Sequence, residues 1–267
     1  SLVVWRIDAM KLKQTIRDFL IYKVGKTILH WLENTIARYS AIGNDFFFFF
    51  IYFDWSSKLE DNWQTIRKEL DVVLESTEQL PGFHDISPDQ YRLSNDGLWK
   101  TFFLYGYGIK IEQNCQRCPL TVLLIESIPG MKTAFFSILL PGKHIPEHRG
   151  PYKGLLRYQL ALKVPQDREN CFIRVGTEFR YWLEGKSLLF DDSFVHEVWN
   201  KTNEIRVILF MDIVRPIKFP VSILNHCLIN LIRYSPYVKD AYKNQQQWHK
   251  RLANLSSSKA IASTDTT

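Results

Sequence analysis

Between Phe135 and Pro216 the chain alternates short apolar runs with polar turns rich in Gly, Pro and Asn. FFSILLPGKHIPEHRGPYKGLLRYQLALKVP (135–165) reads as a strand, a Gly/Pro turn, a short polar strand, a second turn and another strand. CFIRVG, YWLEGKSLLFDD, SFVHEVWN and IRVILFMDIV follow as four further runs. Strands this short, punctuated this often, predict an all-β barrel or sandwich. On either side the spacing turns helical. Residues 58–79 put Leu59, Trp63, Ile66, Leu70, Val73 and Leu74 on one helix face. QLPGFHDISPDQ then reads as a loop and GLWKTFFLYGYGIKI as a strand. MKLKQTIRDFLIYKVGKTILHWLENTIARY, with Gly25 as a break, and the stretch after Pro216 are amphipathic at helical spacing.

These patterns divide the 267 residues into an N-terminal segment (1–57), a β domain (58–216), a helical C-terminal segment (217–252) and a tail (253–267). The tail is rich in Ser, Ala and Thr and is expected to be disordered. With 46% hydrophobic residues the chain can form one large core. Charge is unevenly spread: residues 1–43 carry +4 and 217–252 carry +5, around a net acidic body. Basic amphipathic segments fit an anionic membrane surface, and equally a solvated helix packed on the barrel. The run FFFFFIYF (46–53) is too short to span a bilayer, which takes roughly 20 apolar residues. It is either a buried strand or an exposed aromatic patch.

Chemistry enters with polar residues set in these apolar runs. His148 and His196 are the candidate metal pair. His144 and His148 stand four apart, but Pro146 between them argues against a helix that would bring them together. Taken singly, each histidine fits an ordinary structural role. Arg157 and Arg206 interrupt apolar runs, and a buried guanidinium needs a partner such as a carboxylate. An internal salt bridge to Asp191, Asp192 or Glu197 competes with a ligand for that position. In a flat hairpin His196 and Arg206 would point to opposite faces. They share a cavity only with a bulge, an odd-length loop, or strands that cross into facing sheets.

HRGPYKGLLRYQLALKVP, WLEGKSLLFDDSFVHEVWN and IRVILFMDIVRP closely resemble the aspartyl/asparaginyl β-hydroxylase family, which includes bacterial lipid A hydroxylases and belongs to the iron(II)/2-oxoglutarate dioxygenases. The resemblance is strong over 116–216 and looser from about 58. It implies a mainly β fold, a double-stranded β-helix (jelly roll, cupin-like) with flanking helices at both ends. It implies iron held by His148 and His196, with 2-oxoglutarate and O2 as co-substrates. Arg206 and Ser137 would hold the far carboxylate of 2-oxoglutarate, with Arg157 near the carboxylate beside the keto group. Gln159 stands in that co-substrate site where the family usually has histidine. Many such iron sites have a carboxylate two residues after the first histidine; that position is Gly150 here. The resemblance therefore implies a two-histidine site with water at the vacant position. Asp192 is the candidate acceptor orienting that water, with Asp191 as the alternative.

The expected activity is hydroxylation of an unactivated C–H bond. Basic flanks, the FFFFFIYF run and VSILNHCLINLIRY favour a lipid acyl chain of lipid A type. A peptide Asp or Asn side chain is the alternative substrate, with Arg149 or Arg174 available to a carboxylate. A non-catalytic jelly-roll binding module and a zinc hydrolase using His144 and Glu147 are the readings of other classes. Trp99 is placed either at the mouth of the site or in the core. No nucleic-acid motif accompanies the charge. Cys115 and Cys118 lack the second pair a zinc ribbon needs, fit a reducing cytoplasm, and leave a disulfide between them open. The expected location is the cytoplasmic side of a membrane, with an upstream anchor left open by the serine start.

Overall fold

The computed structural model describes residues 27–264, with side chains as far as Asn254. The basic residues at 6, 11, 13, 17, 23 and 26 lie outside the described residues. Helix α1 occupies 27–39. Helices α2 (Trp55–Asp61) and α3 (Trp63–Leu74) precede two short helices, α4 (Phe83–Ile86) within the stretch that reads as a loop and α5 (Tyr91–Ser94) just beyond it. Strands β1 (Trp99–Gly106) and β2 (Ile109–Lys110) form a hairpin, followed by α6 (Glu112–Cys115) and α7 (Pro119–Glu126). Eight strands come next: β3 (Met131–Leu139), β4 (His144–His148), β5 (Leu155–Lys163), β6 (Cys171–Val175), β7 (Glu178–Tyr181), β8 (Ser187–Phe190), β9 (His196–Asn200) and β10 (Arg206–Val214). Helices α8 (Val221–Arg233) and α9 (Pro236–Thr264) close the chain.

The strands form two antiparallel sheets, β2-β1-β3-β10-β5-β8 and β4-β9-β6-β7. Strands β3 to β10 distribute between the sheets in the manner of a double-stranded β-helix. Consecutive strands change sheet at every connection except β6–β7, so each sheet collects strands distant in sequence. The larger sheet is covered on both sides, which is why FFSIL and RVIL are apolar without alternation. Its outer face packs Phe136, Ile138, Tyr158, Leu160 and Leu209 against Leu59, Ile66, Leu70 and Ile125 of α2, α3 and α7. Its inner face meets the smaller sheet, whose strands β6 and β9 alternate because only one side is buried.

The aromatic run at 46–53 is both buried and exposed. Phe48 and Phe53 are core, while Phe49 and Ile51 are exposed. The Phe48 amide donates to the Leu189 carbonyl and Phe47 bridges Phe190, so the run docks along the edge strand β8. Helix α9 continues to Thr264, through the stretch whose composition predicts disorder. Extending an existing helix through Ala, Leu and Lys needs no new nucleus. Cys115 and Cys118 are buried free thiols. Among the described residues no helix is long and apolar enough to cross a membrane.

Candidate active site

Strand alternation places the site. On the inner face of the larger sheet, β3 presents Thr133, Phe135 and Ser137, β5 presents Arg157 and Gln159, and β10 presents Arg206, Ile208, Phe210 and Asp212, all lining one cavity. Across the gap, β4 and β9 contribute His148 and His196, which stand opposite each other in register. Because β9 and β10 belong to facing sheets, His196 and Arg206 both point inward, which the flat hairpin forbids. Asn200 holds the connection between them by donating from its amide to the carbonyls of Leu139, Leu140 and Glu204.

The two imidazoles lie 4.1 Å apart between ring centroids. His148 Nδ1 bonds the Pro146 carbonyl at 2.8 Å, and His196 Nδ1 bonds the Phe194 carbonyl at 3.0 Å. A carbonyl only accepts, so each Nδ1 must carry the proton and each Nε2 keeps its lone pair. Burial, aided at His148 by the neighbouring His196, pushes both pKa values down to about 4. Two neutral rings with free Nε2 lone pairs suit one divalent metal ion. Among the described residues no group of three or more His, Cys, Asp or Glu could hold a metal ion.

Gly150 shows why no residue follows His148 into that role. A Cβ built there would lie 1.8 Å from Asp192 Oδ2, so the Asp192 carboxylate fills the space a side chain would need. Asp192 accepts from Arg157 Nε at 2.8 Å, and Arg157 Nη1 also pairs with Asp212. Burial raises the pKa of both carboxyls, and the guanidinium between them opposes it. Asp191 turns the other way, to Lys153 Nζ at 2.7 Å and to Arg215. The internal ion pair anticipated for Arg157 therefore exists, with two protein carboxylates as partners through Nε and Nη1, and the side chain also lines the cavity.

Arg206 differs. It is 2% exposed, its guanidinium lies 4.5 Å over the Trp182 ring, and its Nε and Nη1 have no hydrogen-bond partner. Burial lowers its pKa to about 10. An unpaired guanidinium lining a cavity is a site for an anion. Ser137 Oγ accepts from Trp99 Nε1 at 3.0 Å, which leaves the hydroxyl proton free to donate. Gln159 Oε1 accepts from Trp182 Nε1 at 2.9 Å, which leaves the amide N–H groups as donors. Trp182 and Asp212 were missed by sequence reasoning. Asp212 carries a signal, since it is a carboxylate inside FMDIV in the same strand parity as Arg206.

His144 and Glu147 do not join the site. His144 stacks on Trp199 and pairs with Glu197 on the smaller sheet, while Glu147 is held by Arg174. Arg174 is tied to Glu147 and Glu197 and does not line the cavity. Arg149 lines it but pairs with Glu33 of α1 at 3.2 Å. The cavity, about 770 Å³, is walled by Phe83, Phe103, Phe135 and Phe210 and by residues of α1, α8 and α9.

The family model for aspartyl/asparaginyl β-hydroxylase matches residues 60–216. The chain belongs to this family of hydroxylases. An ornithine lipid ester-linked acyl 2-hydroxylase from Rhizobium tropici is 44% identical over 225 residues, covering 84% of this chain and 80% of that protein. The human aspartyl/asparaginyl β-hydroxylase is 36% identical over 170 residues, 62% of this chain, and the match spans only 22% of its own length. A prolyl-4-hydroxylase structure from Pseudomonas putida aligns with 60% of this chain and 98% of its own at 14% identity and a TM-score of 0.37.

Proposed function

We propose that this hydroxylase depends on iron(II) and 2-oxoglutarate and acts on the acyl chain of a membrane lipid. The observation that carries the reading is the pairing of two metal-ready histidines with an unpartnered buried guanidinium in one apolar cavity. That donor set fits an iron ion and a dianion that can reach it. His148 and His196 would hold iron through Nε2, and Arg206, Ser137 and Gln159 would hold the co-substrate carboxylates. With both bound, O2 supplies one oxygen to an unactivated C–H bond and the other to oxoglutarate, which leaves as succinate and CO2.

The protein's own residues bind, orient and exclude water. Asp192 and Asp212 offset the Arg157 charge, so Arg206 is left as the cation that orients a dianion. Asp192, beside Gly150 and His148, would accept from a water on the iron, and its bond to Arg157 fixes the carboxylate. The aromatic wall keeps the reacting carbon dry. The similarity to an ornithine lipid acyl hydroxylase supports position 2 of an ester-linked chain rather than the lipid A type expected from sequence. The apolar wall and the engagement of Arg149 by Glu33 weigh against an acidic peptide.

The test is purified protein with iron(II), oxoglutarate and O2, offered ornithine lipid, acylated glucosamine lipid and Asp-containing peptide separately. The expected result is a mass gain of one oxygen in the acyl chain of ornithine lipid, with matching succinate. Oxygen appearing in the peptide and in neither lipid would overturn the substrate assignment. Oxidation that proceeds without oxoglutarate would overturn the co-substrate.

A further inference from the structure

We propose that α1 and α8 form a surface that docks on an anionic lipid bilayer, with the mouth of the cavity facing the lipid. The inference rests on the acyl-chain reading of the cavity and adds how a chain anchored in a membrane reaches it. Helix α8 is apolar on two sides, and α1 carries its apolar stripe beyond the part that is covered. One side of each is buried: Leu32 and Ile36 of α1 pack with Tyr152, Leu155, Val221 and Ile229. Open to solvent are Ile28 and Leu29, at the first turn of that stripe on α1, with Trp31 beside them, and Ile223 and Leu231 on the opposite side of α8, each more than half exposed. A helix packed on a soluble domain needs only one apolar stripe, so a second stripe calls for a cover.

Continuity with the cavity identifies the cover. Leu29 and Leu231 are exposed at 52% and 66% and also line the cavity. The open apolar surface therefore runs directly into the wall along which an acyl chain would lie. A protein partner or a second copy seated on this face would close that entrance, whereas a bilayer would deliver substrate through it. Charge agrees: α8 carries no acidic residue and ends at Arg233, Lys218 precedes it, and Glu33 of α1 is engaged by Arg149. Apolar side chains flanked by cations are what an anionic interface binds.

The test is flotation of the full chain with vesicles of phosphatidylcholine, alone or mixed with phosphatidylglycerol, without iron or oxoglutarate. The variant Ile28→Ser/Trp31→Ser/Ile223→Ser changes exposed residues that do not line the cavity. The control is Phe179→Ser/Leu183→Ser, exposed in and just beyond β7 on the smaller sheet. Wild type and control should float with the mixed vesicles, and the triple variant should partition about tenfold less or weaker. Its thermal unfolding, and its turnover of a short-chain soluble acyl substrate, should match wild type. Equal flotation of wild type and triple variant overturns the proposal, as does binding indifferent to phosphatidylglycerol. A concentration-dependent dimer lost in the triple variant would place a second copy on the face and also overturn it. Flotation is read without turnover, so failure of the acyl-hydroxylase reading would show separately, as expected flotation with no oxidised lipid.

Discussion

Replacing Arg206 by methionine should make the ligand-free protein more stable while removing the stabilisation by oxoglutarate that the proposed function predicts. The guanidinium is 2% exposed, Nε and Nη1 lack partners, and burial lowers its pKa to about 10. A displacement of that size corresponds to about 3 kcal/mol, carried by the folded protein as long as the cation stays unpaired. The sign follows from a cation whose folded pKa lies below its unfolded one. The cost is in full force at neutral pH and fades only as pH rises through about 10. Methionine is of similar length and keeps a soft contact over Trp182, but it forfeits a cation–π contact of about 1 kcal/mol. The net expectation is about 2 kcal/mol of added stability, an increase of about 4–8 °C in Tm for a chain of this size. Oxoglutarate at about a hundred times its Kd should stabilise wild type by about 2.7 kcal/mol and the variant by almost nothing. Urea and thermal unfolding of the iron-loaded and iron-free proteins, with and without oxoglutarate, reads both effects. An Arg206→Met protein less stable than wild type without oxoglutarate, or one that gains as much from it, would refute the reasoning.

Gly150→Ala should lose about 3–5 kcal/mol in urea unfolding, because the new methyl displaces the Asp192 carboxylate from Arg157; unchanged stability would mean the carboxylate has room to move. Arg157→Lys should cost about 3 kcal/mol of stability, since one ammonium cannot replace both guanidinium bonds to Asp192 and Asp212, while oxoglutarate affinity stays within about threefold of wild type. A much larger rise in the oxoglutarate requirement would return Arg157 to the list of direct contacts. Trp99→Phe removes the donor to Ser137 Oγ and should raise the apparent KM for oxoglutarate by about fivefold, the value of one hydrogen bond, with kcat little changed.

The relation between pattern and structure differs from element to element. The β domain was readable because its short apolar runs are cut at close intervals by polar turns, with buried and half-buried positions alternating on β6 and β9. The helix at 58–79 was readable as a single face, although Asn62 separates α2 from α3. The stretch at 79–90 was read as a loop because its short helices hold too few residues to express a period. The aromatic run gave no answer between buried and exposed. Its residues divide according to which of them meets β8, a strand more than a hundred residues away.

Residue type and position alone singled out the candidates for the chemistry, His148 and His196 for a metal and Arg157 and Arg206 for an anion. His196 and Arg206 are polar groups in apolar strands, and His148 stands in a short polar strand beside a turn. What the linear pattern could not determine was which of the arginines was already satisfied. Arg157 and Arg206 look alike in sequence, each breaking an apolar run. They part only because the antiparallel register of β5 with β10 sets Arg157 opposite Asp212, and the turn after β8 brings Asp192 to its other side. Arg206 stands opposite Leu139, with the Trp182 ring against it and no carboxylate to meet it. Charge pairing at these distances depends on cross-strand register and on which sheet each strand joins, and both are properties of the closed double sheet. The same closure turned His196 and Arg206 towards each other, against the parity of the hairpin that connects them.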